Sequence, residues 1–130
     1  LYAALRVHAA SFGAQVNLPI SVTGGDLDPR LPPAVEIALF RITQEALANA
    51  AKHARAKHAG VTLAASTESA TLTIVDDGVG FDPAIHNAKR ASWGLSVMRE
   101  RAEAIGATLR IESAPDAGTR VIVEVARGTA

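Results

Sequence analysis

Two pairs of β-rich segments, each joined by a short turn, constrain the fold of this chain more than any other feature. Residues 61–65 and 71–75 contain Val, Leu, Ile and Thr, and the residues between them are mostly polar. Alternating apolar residues at 109–111 and 121–125 flank a turn that contains Pro and Gly. Strands joined by such short turns pair antiparallel. The sequence therefore predicts a largely antiparallel sheet and argues against a Rossmann domain.

Three helices are predicted around these strands. Residues 1–12 place large apolar side chains one to two helical turns apart, and Gly13 is the expected end of this helix. The longest helix is predicted from two prolines at 32 and 33, which suit a first helical turn, to about residue 55. A third helix is expected at 94–105, followed by a glycine that ends it.

The remaining segments complete a two-layer arrangement. Alternation from Val16 to Val22 predicts one more strand, and Pro19 places that strand at a sheet edge because proline cannot donate a ladder hydrogen bond. Residues 76–91 form a predicted irregular loop. Its length favours a functional role, in which the loop covers a bound ligand. With the helices collected on one face, the expected fold is an α/β (α+β) two-layer sandwich with a mostly antiparallel sheet.

Composition excludes several functional classes. The 130 residues carry 13 Lys+Arg and 13 Asp+Glu, so the chain lacks the basic excess of a dedicated nucleic-acid binder. With no cysteine, it has no disulfide, thiol nucleophile or cysteine-bound zinc, and it suits a reducing cytosol. No segment approaches the roughly 18 apolar residues of a membrane span. The start at Leu1 favours an excised piece of a longer protein.

A row of polar side chains follows one face of the longest predicted helix. Arg41, Glu45, Asn49, Lys52 and His53 are spaced by three or four residues, or are adjacent. A solvated helix face explains most rows of this kind. Asn49 favours a function, since Asn is a mediocre helix former and its side-chain oxygen can contact a ligand or a metal.

Three further segments carry glycines at the ends of predicted elements. Asp76, Gly78 and Gly80 follow an apolar strand, either as a simple turn or as a site where Asp76 accepts a hydrogen bond from a ligand such as adenine. Gly94 and Leu95 open a helix, either as an ordinary cap or as an N-terminus that attracts phosphate. Gly118 and Thr119, in the last hairpin, are by themselves only a turn.

These motifs, in this order, closely resemble the N, G1, G2 and GT boxes of the catalytic ATP-binding domain of sensor histidine kinases. The resemblance covers about residues 16–125 and implies the Bergerat ATP-binding fold shared with gyrase B, Hsp90 and MutL. Residues 41–54 and 94–102 resemble the branch of nitrate/nitrite sensors, the desaturase-regulating thermosensor and heme-based dormancy sensors. Partners in that branch are helix-turn-helix response regulators. One departure is Ser92, where the family's second glycine box usually has glycine, with Trp93 following it.

The resemblance implies a role for each residue of these boxes. At the adenine end, Asp76 would accept a hydrogen bond from the amino group, with Thr119 supporting that contact, while Gly78 and Gly80 would line the cleft. At the other end, Gly94 and Leu95 would bind the nucleotide at the helix N-terminus. The implied catalytic residues are Glu45, which orients a metal-bound water or polarises the acceptor, Asn49, which ligates Mg²⁺, and Lys52 and His53, which steady phosphate charge.

The implied reaction transfers the γ-phosphoryl group of ATP to a histidine. None of the four histidines of this chain (His8, His53, His58 and His86) precedes the acidic residue typical of the family's acceptor. The acceptor is therefore expected in a dimerisation domain outside this chain. Residues 1–15 are interpreted as the end of a linker or dimerisation helix, 16–127 as the catalytic domain and 128–130 as a tail.

The resemblance also implies a cytoplasmic domain of a homodimeric protein, which can be membrane-anchored. Three alternatives remain: an anti-sigma-type serine kinase, another ATPase of the same superfamily, and a degenerate module that binds partners without ATP. Intact Glu45, Asn49 and Asp76 speak against the last. A metal hydrolase using His53 and His58 is a poor interpretation, because a spacing of five places two side chains on different helix faces.

Overall fold

A computed structural model describes residues 1–81 and 94–127 of the chain. The described residues form three helices and five strands, which follow one another in the predicted order. Their bounds are α1 Tyr2–Val16, β1 Ile20–Gly24, α2 Pro33–Lys52, β2 Ala59–Ala65, β3 Ser69–Asp76, α3 Leu95–Ala104, β4 Thr108–Ser113 and β5 Thr119–Ala126. Both predicted hairpins and the two later helices are confirmed.

The five strands form one sheet in the order β1-β2-β3-β5-β4. Three of its four strand pairs are antiparallel, as predicted, whereas β1 and β2 are parallel. The parallel pair arises because α2 connects these two strands as a crossover rather than as a tight turn. Strand β1 lies at one edge of the sheet, as the sequence predicts.

One face of the sheet and the helices enclose the hydrophobic core. Burial alternates along β2, β3 and β5, so that every second side chain points to the helical layer. The core also takes in Leu5 of α1, Ile42 and Leu47 of α2, and Met98 of α3, all at most 1% exposed. Truncating such a side chain to alanine typically destabilises a domain by about 2–5 kcal/mol. The predicted two-layer sandwich is confirmed.

The first helix is longer than the sequence predicts. Gly13 was the expected end, but α1 continues to Val16, and Asn17 closes it in the left-handed conformation. The backbone N–H groups of Asn17 and Leu18 both donate to the carbonyl of Gly13. A Cβ on Gly13 would lie 2.5 Å from the carbonyl oxygen of Leu18, so glycine is needed for the chain to fold back here. The predicted strand at 16–22 consequently begins only at Ile20.

Helix α1 packs against β1 and α2 and contributes Leu5 and Ala9 to the core. The boundary proposed between residues 15 and 16 stays a prediction. Within the described ranges, no helix combines the length and the apolarity that a membrane crossing requires. Of the predicted loop at 76–91, residues 77–81 are irregular. Residues 82–91, which include His86, lie outside the described residues, as do Ser92 and Trp93.

Candidate functional site

The polar row of α2 is divided between the protein interior and solvent. Asn49 is 8% exposed and lies on the inner face of the helix, whereas Arg41 and Lys52 are exposed. Glu45, one turn before Asn49, is half-buried, and so is His53, the C-cap residue just beyond the helix. A wholly solvated face is therefore the wrong interpretation of this row, because its central member is enclosed by other elements.

Glu45, in the second half of α2, lies next to the start of α3. Gly94 precedes α3 as its N-cap with a φ of 65°, and an ideal Cβ there would lie 3.2 Å from both carboxylate oxygens of Glu45. A carboxylate at this point is favoured by the positive end of the α3 dipole. The position of Gly94 at a helix N-terminus is as predicted, and its proximity to Glu45 is decided by packing.

Asp76 ends β3 as a half-buried carboxylate. Its Oδ1 accepts a hydrogen bond of 2.8 Å from the backbone N–H of Gly78. Burial raises the pKa of Asp76, and the neighbouring charge of Asp77 adds to this, while the N–H groups of Gly78 and Thr119 oppose it. Asp76 is also the register partner of Thr119 on β5. The second and the last of the predicted motifs therefore meet at this end of the sheet.

The turn after Asp76 rests on the segment that follows α2. An ideal Cβ on Gly78 would lie 2.4 Å from the Cβ of Ala54, and the N–H of Val79 donates to the carbonyl of Ala54 at 2.9 Å. Only glycine permits this approach of the two backbones. Gly80, which is buried, packs in the same way against the carbonyl of Ala114.

Ser113 is a polar residue of this region that the sequence analysis does not identify. Its hydroxyl donates to the carbonyl of Gly118, lies 2.9 Å from Oγ1 of Thr119 and accepts from the N–H of Phe81, also at 2.9 Å. Thr119 itself is 9% exposed. The available signal was the register of the last hairpin, which places Ser113 directly opposite Thr119.

Two open grooves adjoin these residues. One, of about 450 Å³, is lined by Asp76, Ser113, Gly118 and Thr119 together with residues of the open sheet face. The other, of about 440 Å³, lies between α3 and β4, and its lining includes Phe81 and Leu95. Neither lining includes Asn49, Lys52 or His53. The contacts of Ala54 with Gly78 and of Glu45 with Gly94 connect α2 to both regions.

Comparison with known proteins agrees with this layout. Residues 34–129 match the family described as histidine kinase-, DNA gyrase B- and HSP90-like ATPases. The chain belongs to this ATPase family.

Among its relatives are two sensor proteins named VraS, from Staphylococcus saprophyticus and Staphylococcus haemolyticus. Each is 40% identical over 110 residues, which are 85% of this chain and 31% of the relative. The chain thus spans about a third of the length of these relatives.

Solved structures of similar fold include a blue-light activated histidine kinase from Erythrobacter litoralis, with a TM-score of 0.80 and 21% identity. That match covers 96% of this chain and 41% of the other. The ATP binding domain of PrrB from Mycobacterium tuberculosis matches with a TM-score of 0.72 and 21% identity, over 98% of this chain and 94% of that domain. These likenesses confirm the predicted fold class.

Proposed function

We propose that this chain is the catalytic ATP-binding domain of a sensor histidine kinase. In this role it transfers the γ-phosphoryl group of ATP to a histidine in a dimerisation domain of the same protein, outside this chain. The observation that carries the proposal is the half-buried carboxylate of Asp76, which lies opposite Thr119 and whose hydrogen-bond partner Gly78 packs on Ala54, just beyond α2. Membership of the ATPase family and the likeness to sensor proteins support it.

At the adenine end, Asp76 accepts a hydrogen bond from the exocyclic amino group. Its Oδ1 already accepts from Gly78, so the remaining acceptor capacity of the carboxylate is available to the base. Thr119 supports this contact, through an ordered water, from the neighbouring strand. Gly78 and Gly80 line the cleft, since the absence of a side chain lets the backbone lie close to the nucleotide.

At the phosphate end, the charges come from α2 and the start of α3. Lys52 is exposed in the last turn of α2, and His53 caps that helix, so both can approach negative phosphate oxygens. Gly94 and Leu95 present the N-terminus of α3, whose N–H groups and dipole favour an anion. Leu95 also contacts the small apolar cluster of Ala54 and Phe81, which fixes the beginning of α3.

The donor set fits Mg²⁺ bound mainly through the nucleotide. In residues 1–81 and 94–127, no group of three or more His, Cys, Asp or Glu side chains is arranged to hold a metal. Asn49 offers a buried amide oxygen, and Glu45 a carboxylate one helical turn away. Such a sparse oxygen set suits Mg²⁺, which keeps several waters and binds substrate phosphates. When bound, Mg²⁺ neutralises phosphate charge.

Catalysis by these residues is positioning and charge stabilisation, because phosphoryl transfer needs little covalent help from the protein. Glu45, whose carboxylate lies beside the start of α3, orients a metal-bound water or polarises the acceptor. Lys52 and His53 balance the charge on the transferred group. The histidine acceptor comes from the dimerisation domain, and a response regulator then receives the phosphoryl group.

The finer assignments rest on the motifs themselves. Residues 41–54 and 94–102 support membership of the nitrate/nitrite-sensor-like branch, whose regulators carry a helix-turn-helix domain. We expect a homodimeric full-length protein in which this domain lies in the cytoplasm, with an anchor elsewhere in the chain. The sensor proteins among the relatives favour this proposal over an anti-sigma-type serine kinase.

Calorimetric titration of the chain with ATP and Mg²⁺ tests the proposal, with Asp76→Asn and Asn49→Asp as matched variants. Each substitution exchanges one oxygen and one nitrogen and leaves the size of the side chain almost unchanged. Saturable binding by the wild type that Asp76→Asn weakens at least tenfold is expected, since a ligand amino group loses its acceptor. A folded chain that does not bind ATP, or an Asp76→Asn variant that binds as tightly as the wild type, contradicts the proposal.

A further inference from the structure

Asp77 follows Asp76, the residue proposed to bind adenine, and its side chain makes hydrogen bonds to the segment that connects α2 with β2. Its Oδ1 accepts hydrogen bonds from the backbone N–H groups of Lys57, at 2.8 Å, and His58, at 2.9 Å. Its Oδ2 lies 3.2 Å from Nδ1 of His58, and its own N–H donates to the carbonyl of His58. The carboxylate is exposed, and yet all of these contacts go to one short segment.

The segment that Asp77 holds has little regular structure of its own. Residues 53–58 join α2 to β2, and Arg55 within them has a φ of 51°, a left-handed conformation that non-glycine residues seldom adopt. Such a backbone persists only where surrounding contacts impose it. Asp77 binds one end of the segment, while Gly78 and Val79 bind the other end at Ala54.

This arrangement connects the two ends of the proposed nucleotide site. Asp76, directly before Asp77, belongs to the adenine end. Lys52 and His53, directly before the contacts at Ala54, Lys57 and His58, belong to the phosphate end. A ligand that spans both ends requires a constant spacing between them, whereas adenosine engages the adenine end only. The contacts of Asp77 are therefore placed to set that spacing.

We infer that Asp77 is a positioning residue for ATP, which fixes the end of α2 relative to Asp76 without touching the nucleotide. The inference rests on the proposed function. Backbone N–H donors require only an acceptor oxygen, so asparagine at this position can retain the contacts with Lys57 and His58, whereas alanine removes them. The inference thus predicts a large effect of Asp77→Ala and a small effect of Asp77→Asn.

Affinity for ATP with Mg²⁺ and for adenosine, together with the melting temperature, is measured for both variants. Asp77→Ala is expected to weaken ATP binding about tenfold, which corresponds to the loss of about one net hydrogen bond, with little change for adenosine. Asp77→Asn is expected to stay within about threefold of the wild type. Glu68→Ala, an exposed acid in the turn between β2 and β3, controls for loss of one negative charge.

A double-mutant cycle with Lys52→Ala separates positioning from a loss of stability alone. If Asp77 sets where Lys52 lies, then Lys52→Ala weakens ATP binding by a smaller factor in the Asp77→Ala background than in the wild type. A merely structural role lowers the melting temperature and leaves that factor unchanged, which overturns the inference. Should Asp77→Ala not fold, Asp77→Glu, which displaces the acceptor oxygens by one methylene, takes its place with the same expectations.

Failure of this inference is distinguishable from failure of the proposed function. If the wild type does not bind ATP, or Asp76→Asn binds it unchanged, the proposed function fails, and the positioning role fails with it. If Asp76→Asn abolishes binding while Asp77→Ala binds ATP like the wild type, only the positioning role is overturned. Equal weakening of ATP and adenosine by Asp77→Ala also overturns it, because the spacing between the two ends would then not be what is lost.

Discussion

The carboxylate of Glu45 lies against Gly94 at the first turn of α3, with 3.2 Å between each of its oxygens and the position of an ideal Cβ on that glycine. The two residues are 49 positions apart in the sequence. Their contact places an acidic side chain where the helix dipole is positive, and a Cβ at residue 94 would force the carboxylate of Glu45 to shift by a few tenths of an ångström. A substitution of Gly94 therefore disturbs two things at once, the backbone conformation and the orientation of Glu45.

Gly94→Ala is expected to destabilise the chain by about 1–2 kcal/mol, because alanine would have to adopt the left-handed conformation of Gly94. It is also expected to weaken ATP binding, because the new methyl group displaces the carboxylate of Glu45. Gly106→Ala is a matched control, because Gly106 follows the same helix with a φ of 69° and nothing within 4 Å of its ideal Cβ. Both variants are compared by urea denaturation and by ATP titration. Equal ATP affinities in the two variants would show that the contact with Glu45 is irrelevant to binding.

Asp76→Asn is expected to lose ATP affinity and yet to be at least as stable as the wild type at neutral pH. Burial raises the pKa of Asp76, so the folded state disfavours its charged form. The contribution of Asp76 to the free energy of unfolding is therefore greatest below its ordinary pKa, at about pH 4, and falls as the pH rises through the raised value. Asparagine does not titrate, so its contribution to the free energy of unfolding does not fall as the pH rises.

Thermal denaturation of both proteins between pH 4 and 8 measures this difference. The stability advantage of Asp76→Asn should grow with rising pH through the pKa of Asp76 and then level off. An Asp76→Asn variant that is less stable than the wild type at pH 7, by an amount that disappears on acidification, would mean that hydrogen bonds to the carboxylate outweigh its burial.

Ser113→Ala is expected to lower the free energy of unfolding by about 1–3 kcal/mol, because the N–H of Phe81 loses its acceptor in a partly buried position. ATP affinity should fall as well, since the hydroxyl of Thr119 loses its neighbour. Thr108→Ala, at an exposed position of the same strand, is the matched control. Indistinguishable denaturation curves for the two variants would remove Ser113 from the site.

The chain alone should remain unphosphorylated when incubated with ATP and Mg²⁺. No histidine of the chain precedes an acidic residue, and His8 is stacked on Phe12, with ring centroids 5.5 Å apart. Burial also lowers the pKa of His8. Radiolabelled ATP followed by acid and alkali treatment detects phosphohistidine, which is labile in acid. Acid-labile phosphate on the chain would place an acceptor within it and overturn the assignment of the acceptor to another domain.

Local sequence patterns predict most of the secondary structure of this chain. Alternation of apolar residues locates β2, β3, β4 and β5, and helical spacing locates α2 and α3. The pattern fails near Gly13, because a glycine that usually ends a helix is here required inside one, where the chain folds back against the carbonyl of Leu18. The parallel pairing of β1 with β2 is likewise not a local property, since it depends on where α2 crosses the sheet.

The types of residue in the four motifs indicate the proposed chemistry, since an acid after a strand, glycines beside it and a polar row on a helix are properties of sequence alone. Burial within that row is not, because Asn49 and Lys52 are three residues apart on one helix and only Asn49 is enclosed. The contacts of Asp77 with His58 and of Glu45 with Gly94 join residues 19 and 49 positions apart. Such distances depend on the packing of whole elements, and so the tertiary structure alone decides them.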